Sequence, residues 1–253
     1  MSHAAERAKQ WQTGLLRATA FYPDPFDLAG VNWWESLAGR PSESKNVRAG
    51  LGQLAEFGTV DDRVLQLQIQ PGRIDWLLLP KDEPEGGSFP SLGDFEKCLG
   101  YFRELFFKWL SQAPELNRLA FGAQLYIPTA DQSEAVQTVA GILQYVKIDW
   151  TGIRDIVFQL NRVQACKTLP ELGAINRLVK WQTVVRKRIV GALLPEPQAP
   201  VTTAEEFAAY WELDISLAAP TDAKMKLPPE KLKELFTELT HEAADIVSRG
   251  DVL

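Results

Sequence analysis

The chain has 253 residues, 45% of them hydrophobic and 24% charged, which is ordinary globular usage and excludes wholesale disorder. Thirty-three acidic against 27 basic residues give a formal charge of -6, poorly suited to non-specific binding of phosphate backbones or anionic lipid. Two cysteines and two histidines exclude a disulfide framework and a histidine-rich metal centre, and no apolar run approaches the roughly 20 residues of a membrane span.

The opening stretch Met1–Arg7 is polar, with no apolar run behind it, which argues for a cytoplasmic protein without a signal peptide. Residues 14–22 alternate as a first strand. Asp27 is placed to cap a short helix carrying Leu28, Val31, Trp34 and Leu37, with Gly39 as its stop. Residues 64–70 and 73–79 alternate around Pro71-Gly72 and predict a β-hairpin. A broad apolar face over 94–111 predicts a helix, and 118–127 a strand with Leu119, Phe121, Ala123, Leu125 and Ile127 on one side. Asp131 and Glu134 have capping-box spacing ahead of a helix through Val136, Val139 and Leu143. Residues 153–163, 175–190 and 206–217 follow as three consecutive strands, the last with Phe207, Ala209, Trp211, Leu213, Ile215 and Leu217 turned inward. A final helix starts at Pro228-Pro229 and stops near Gly250.

Three strands in succession with strict alternation point to an α+β fold, a mainly antiparallel sheet of six or seven strands with helices packed on one face. Loops near 81–90 and 195–203 separate no segments that would fold alone, so a single domain over 1–253 is expected.

Charge is uneven. Residues 172–195 carry five basic and no acidic side chains, while 196–253 carry five basic and 12 acidic ones. If strands 175–190 and 206–217 pair antiparallel, Lys180, Arg186 and Arg188 share a face with Glu206, Glu212 and Asp214. Such pairing neutralises the basic block and makes nucleic-acid binding an unfavoured outcome.

Read in this order, the passage Arg118–Ile127, the Asn-Arg step in Ala174–Leu178 and the strand Trp211-Glu-Leu-Asp-Ile215 before a long last helix resemble a sporadically distributed bacterial family of uncharacterised α+β proteins. The Trp-rich stretch Asn32–Glu35 departs from it. The resemblance implies the fold and transfers no catalytic residues.

No zinc, P-loop, dinucleotide or nucleophile motif is present, so no cofactor is expected. Asp61-Asp62 and the acids at 82, 83 and 85 read as solvated turn residues, and His241 as a solvent-side helix histidine. Trp33 beside Trp34 on a short helix leaves one indole to cap the core or meet a partner. Asn161-Arg162 and Asn176-Arg177 flank one loop, and a hairpin placing 161 against 176 would gather four side chains suited to an anion, a carboxylate or a base. Structural salt bridges are the plainer use of these arginines. The leading expectation is therefore a non-catalytic binding or accessory protein that acts through protein partners or as a homo-oligomer. The alternatives are a nucleic-acid binder using 175–190, and an enzyme built on Asn161, Arg162, Asn176 and Arg177 with Asp75 or Asp214.

Overall fold

The computed structural model describes residues 11–81, 89–144, 146–190, 202–220, 222 and 224–249. Nine strands form one antiparallel sheet: β1 (Gln12–Phe21), β2 (Ser44–Arg48), β3 (Gln53–Val60), β4 (Arg63–Gln70), β5 (Arg73–Pro80), β6 (Arg118–Thr129), β7 (Val157–Ala165), β8 (Ala174–Val190) and β9 (Thr202–Leu217). Their order across the sheet is β2-β3-β4-β5-β1-β6-β9-β8-β7. Four α-helices are present among the described residues: α1 (Trp33–Ala38), α2 (Phe95–Leu110), α3 (Gln132–Ile142) and α4 (Leu232–Arg249). The antiparallel α+β architecture is as the alternation predicts. The loop acids at 82, 83 and 85, and the loop at 195–203 up to the start of β9, lie outside the described residues.

Alternation sorts each strand into two faces. Leu65, Leu67 and Ile69 of β4, Ile74, Trp76 and Leu78 of β5, and Trp211, Leu213 and Ile215 of β9 are buried in one apolar cluster. Trp76 and Phe121 both lie opposite Ala18 of β1 and therefore share a face. Trp109 of α2 reaches Trp76 at 6.2 Å, and Phe236 of α4 reaches Phe121 at 6.1 Å and Phe106 of α2 at 4.3 Å. The helices thus close on the sheet through aromatic rings whose burial removes large apolar areas from water.

Helix starts follow side-chain chemistry. Asp94 accepts from the Lys97 amide, and Asp131 from the Glu134 amide, satisfying N–H groups that have no partner in the first turn. The first helix differs from expectation. Asp27 accepts from Ala29 in a turn, and α1 begins only after Asn32. Its end is as predicted, with Gly39 left-handed at φ 70°.

The sheet has two strands more than the alternation indicated, because β2 and β3 hide their periodicity. In β3 the core-facing positions opposite Leu67 and Leu65 are Glu56 and Gly58. Buried Glu56 pairs with Lys45 of β2 at 3.0 Å. Gly58 is required by packing: a Cβ there would sit 2.9 Å from the Trp34 ring. Trp34 in turn donates its indole N–H to the Leu65 carbonyl at 3.1 Å.

The two halves of the sheet repeat one topology. β1-α1-β3-β4-β5-α2 and β6-α3-β7-β8-β9-α4 each give a four-strand order, and the two orders mirror one another about the β1–β6 seam. Laying Phe95 on Leu232 sets the buried residues Cys98, Leu99 and Phe102 of α2 on the buried Leu235, Phe236 and Leu239 of α4. Laying Trp76 on Trp211 sets its neighbour Leu67 on Trp181, from the same cross-strand register. Among the described residues, only the first half has an added outer strand, β2.

Candidate functional site

The residues that alternate away from the core form a polar belt across the sheet. Asp75 of β5, Thr19 of β1, Ala120 of β6, Ser216 of β9 and Asn176 of β8 follow one another in register. Thr19 donates to Asp75 at 2.6 Å, and Arg73 grips the same carboxylate through Nε at 2.7 Å and Nη2 at 2.9 Å. Arg118 donates to the Leu217 carbonyl at 2.7 Å and the Ser216 hydroxyl at 3.0 Å, while its guanidinium lies 4.8 Å from the Phe21 ring centre. Burial pulls Arg118 below its ordinary pKa, nearby Arg73 adds to this, and Asp214 opposes it.

Glycine again decides a contact. Arg17 lies opposite Gly122, and a Cβ at Gly122 would stand 3.3 Å from Arg17 Nε and Nη2. The bare backbone lets Arg17 cross β6 and reach Asp214 on β9 at 3.2 Å. Asp75 and Asp214 are thus each held by an arginine, an arrangement suited to positioning and recognition. Further along the same face, Asn46, Arg48, Gln53, Gln68 and Gln70 border a shallow hollow of about 250 Å³. The belt's arginines escape sequence reading because they are scattered over three strands. Only the register brings them together.

The Asn-Arg pairs are brought together differently from expectation. β7 and β8 pair with Arg162 opposite Arg177, Asn161 opposite Leu178, and Asn176 opposite Val163. Side chains alternate, so both asparagines face one side of the sheet and both arginines the other. The four do not form one cluster. Arg177 points to α4, where its Nε lies 3.6 Å from buried Glu242, and its Nη1 donates to Gln164 at 3.4 Å. Asn161 and Arg162 are exposed on β7, and Asn176 is half-buried beside Ser216. Trp33 is buried against Phe26 at 5.3 Å and Trp109 at 5.6 Å, so both neighbouring indoles serve the core. Asp61 accepts from Tyr101 at 3.1 Å, and Asp62 pairs with Arg63, which gives these turn acids structural partners. His241 is exposed on α4.

Three cations of the basic strand lie opposite acids, whereas Arg188, expected among them, lies opposite Ala204, and Arg177 opposite Ile215. Lys180 lies opposite Glu212; Arg186 opposite Glu206, at 3.9 Å; and Lys187 opposite Glu205, at 3.0 Å. Asp214 departs from the expected scheme, since its register partner is Leu178 and its cation is Arg17.

Glu238 of α4 fastens the loop after β7. It accepts from the Lys167 amide at 2.7 Å and the Thr168 amide at 2.8 Å. Burial pushes its pKa up, but hydrogen bonds from Thr168, Lys167 and Cys166 together outweigh this and leave it lowered. A lowered carboxylate stabilises the fold above its unfolded pKa, and that stability is lost as pH falls through the folded value. Glu238→Gln is therefore expected to lower the urea midpoint at pH 7 and to flatten the acid limb of stability against pH. An unchanged acid limb would contradict the assignment.

No helix among the described residues is long and apolar enough to cross a membrane. Comparison with protein-family models, curated proteins and solved structures gives no match.

Proposed function

We propose that this chain is a non-catalytic binding or accessory protein, acting in the cytoplasm through protein partners. We infer that all its helices pack on the core side of the sheet, so that the opposite face is the working surface. The observation that carries this reading is the belt itself. Its Asp75 and Asp214 are already held by Arg73 and Arg17, leaving guanidinium edges, amides and Phe21 on a broad, shallow surface. Surfaces of this kind recognise another macromolecule by many directional contacts.

Nucleic acid is the less favoured partner, because Lys180, Arg186 and Lys187 of β8 each lie opposite an acid on β9. An enzyme centred on the Asn-Arg pairs is less favoured because those pairs divide between two faces.

Affinity capture with the full chain, from the cell that makes it, tests the proposal. One or a few proteins should return reproducibly after nuclease treatment, and Gln66→Lys with Gln68→Lys on the belt face should reduce their yield. Capture of nucleic acid alone, with a gel shift persisting at about 0.15 M salt, would overturn it.

A further inference from the structure

β2 contributes little to the core: it is five residues long and exposed almost throughout. Lys45 anchors it to Glu56 at 3.0 Å. Its other side belongs to the belt face, because Asn46 lies opposite Ala55, Ala55 opposite Gln68 and Gln68 opposite Asp75. A closed turn fixes the end of the strand, the Gly52 amide donating to the Ala49 carbonyl at 3.0 Å. What β2 adds to the belt is a wall.

Alternation sets Ala55 at the centre of a small grid. Asn46 and Gln68 flank it across the strands, and Gln53 and Phe57 flank it along β3. Arg48 and Gln70 stand on either side of Gln53. Longer side chains thus ring one methyl group, and the hollow of about 250 Å³ is the result. The second half has no counterpart among the described residues. Laying Leu67 on Trp181 lays Gln68 on Gln182, which faces Val157 where Gln68 faces Ala55, and β7 ends the sheet there.

Arg48 is the one formal charge in this ring. Glu56 faces the other side of the sheet with Lys45, and Asp75 is held by Arg73. Among the described residues, no hydrogen bond or ion pair engages the side chains of Arg48, Asn46, Gln53, Gln68 or Gln70. Arg73 and Arg118, by contrast, are committed within the sheet. A guanidinium beside carboxamides matches a carboxylate joined to peptide groups, since amides both donate and accept. Phe57, 45% exposed, adds an apolar contact. From Gln53 to Phe57 the strand spans about 13 Å, the length of roughly four extended residues. The hollow is smaller than the roughly 300–1,000 Å³ of a pocket that encloses a whole ligand, so it suits the end of a chain that continues over the belt.

We propose that this hollow captures the C-terminal end of a protein partner. Arg48 takes the terminal carboxylate, the carboxamides around Ala55 take the last peptide groups, and Phe57 meets an apolar side chain. The proposal rests on the protein-partner reading above and names the part of the partner that is held.

An acetylated Gly-Phe-Leu tripeptide with a free carboxylate, titrated into the full chain, provides the probe. Saturable amide shifts are expected on β2, β3 and β4, and capping the same peptide as its amide should weaken binding about tenfold. Arg48→Gln should remove that preference for the free acid. Ala55→Leu, which fills the hollow without changing charge, should weaken both forms alike. Circular dichroism checks that the variants are folded. Equal affinity for acid and amide, or a preference that survives Arg48→Gln, would overturn the site. So would shifts confined to the surroundings of Arg118. Acetyl-leucine or inorganic phosphate binding as tightly as the tripeptide would also overturn it, by making a small free anion the occupant. If cellular partners are captured at full yield by both Arg48→Gln and Ala55→Leu, the end-capture proposal fails while the wider partner reading stands.

Discussion

Phe236→Ala is expected to cost about 3–5 kcal/mol, the range for truncating a large buried aromatic side chain. Phe236 is fully buried and joins three elements: its ring lies 4.3 Å from Phe106 and 6.4 Å from Phe107 on α2, and 6.1 Å from Phe121 on β6. The sheet and two helices meet there, so little relaxation can fill the cavity. Urea unfolding should show a lower midpoint with an unchanged slope. A loss below about 1 kcal/mol would mean that α4 does not seat on the sheet as described.

Arg177→Ala is expected to cost about 2–4 kcal/mol and to leave partner binding intact. The arginine and Glu242 are 15% and 8% exposed, so removing the cation leaves a buried carboxylate facing, among the described cations, Lys167, whose own side chain is largely exposed. Breaking one side of a buried pair is costly, whereas replacing both partners by apolar groups recovers most of the loss. Arg177→Met with Glu242→Leu should therefore be closer to wild type than either single change in urea unfolding. Lost binding with full stability would instead return Arg177 to the list of recognition residues.

These cases show what was legible in the residues. β4, β5, β6 and β9 announce themselves because every second side chain is apolar and buried, and the pairing of β8 with β9 is legible in their opposite charges, although the register sets Arg188 against Ala204 and Asp214 against Leu178. β3 is silent because its core-facing positions hold Glu56, which needs Lys45 from another strand, and Gly58, which yields space to Trp34. β2 is silent because it is exposed almost throughout. The repeated topology is hidden because equivalent positions keep burial and lose identity, as with Leu67 and Trp181. The candidate site was half legible. Arg162 and Asn161 stood out as a pair, but alternation sends their side chains to opposite faces. The belt of Arg17, Arg73 and Arg118 depends on register alone.

Site-specific photo-crosslinking in the native cell decides whether the sheet is the working surface. A photoreactive residue is placed at Gln68 on the belt face, at Val163 on the edge strand β7, or at exposed Thr237 on α4. A reproducible protein adduct from Gln68 or Val163, with none from Thr237, is the predicted result. Adducts from Thr237 alone, or from no position, would contradict it.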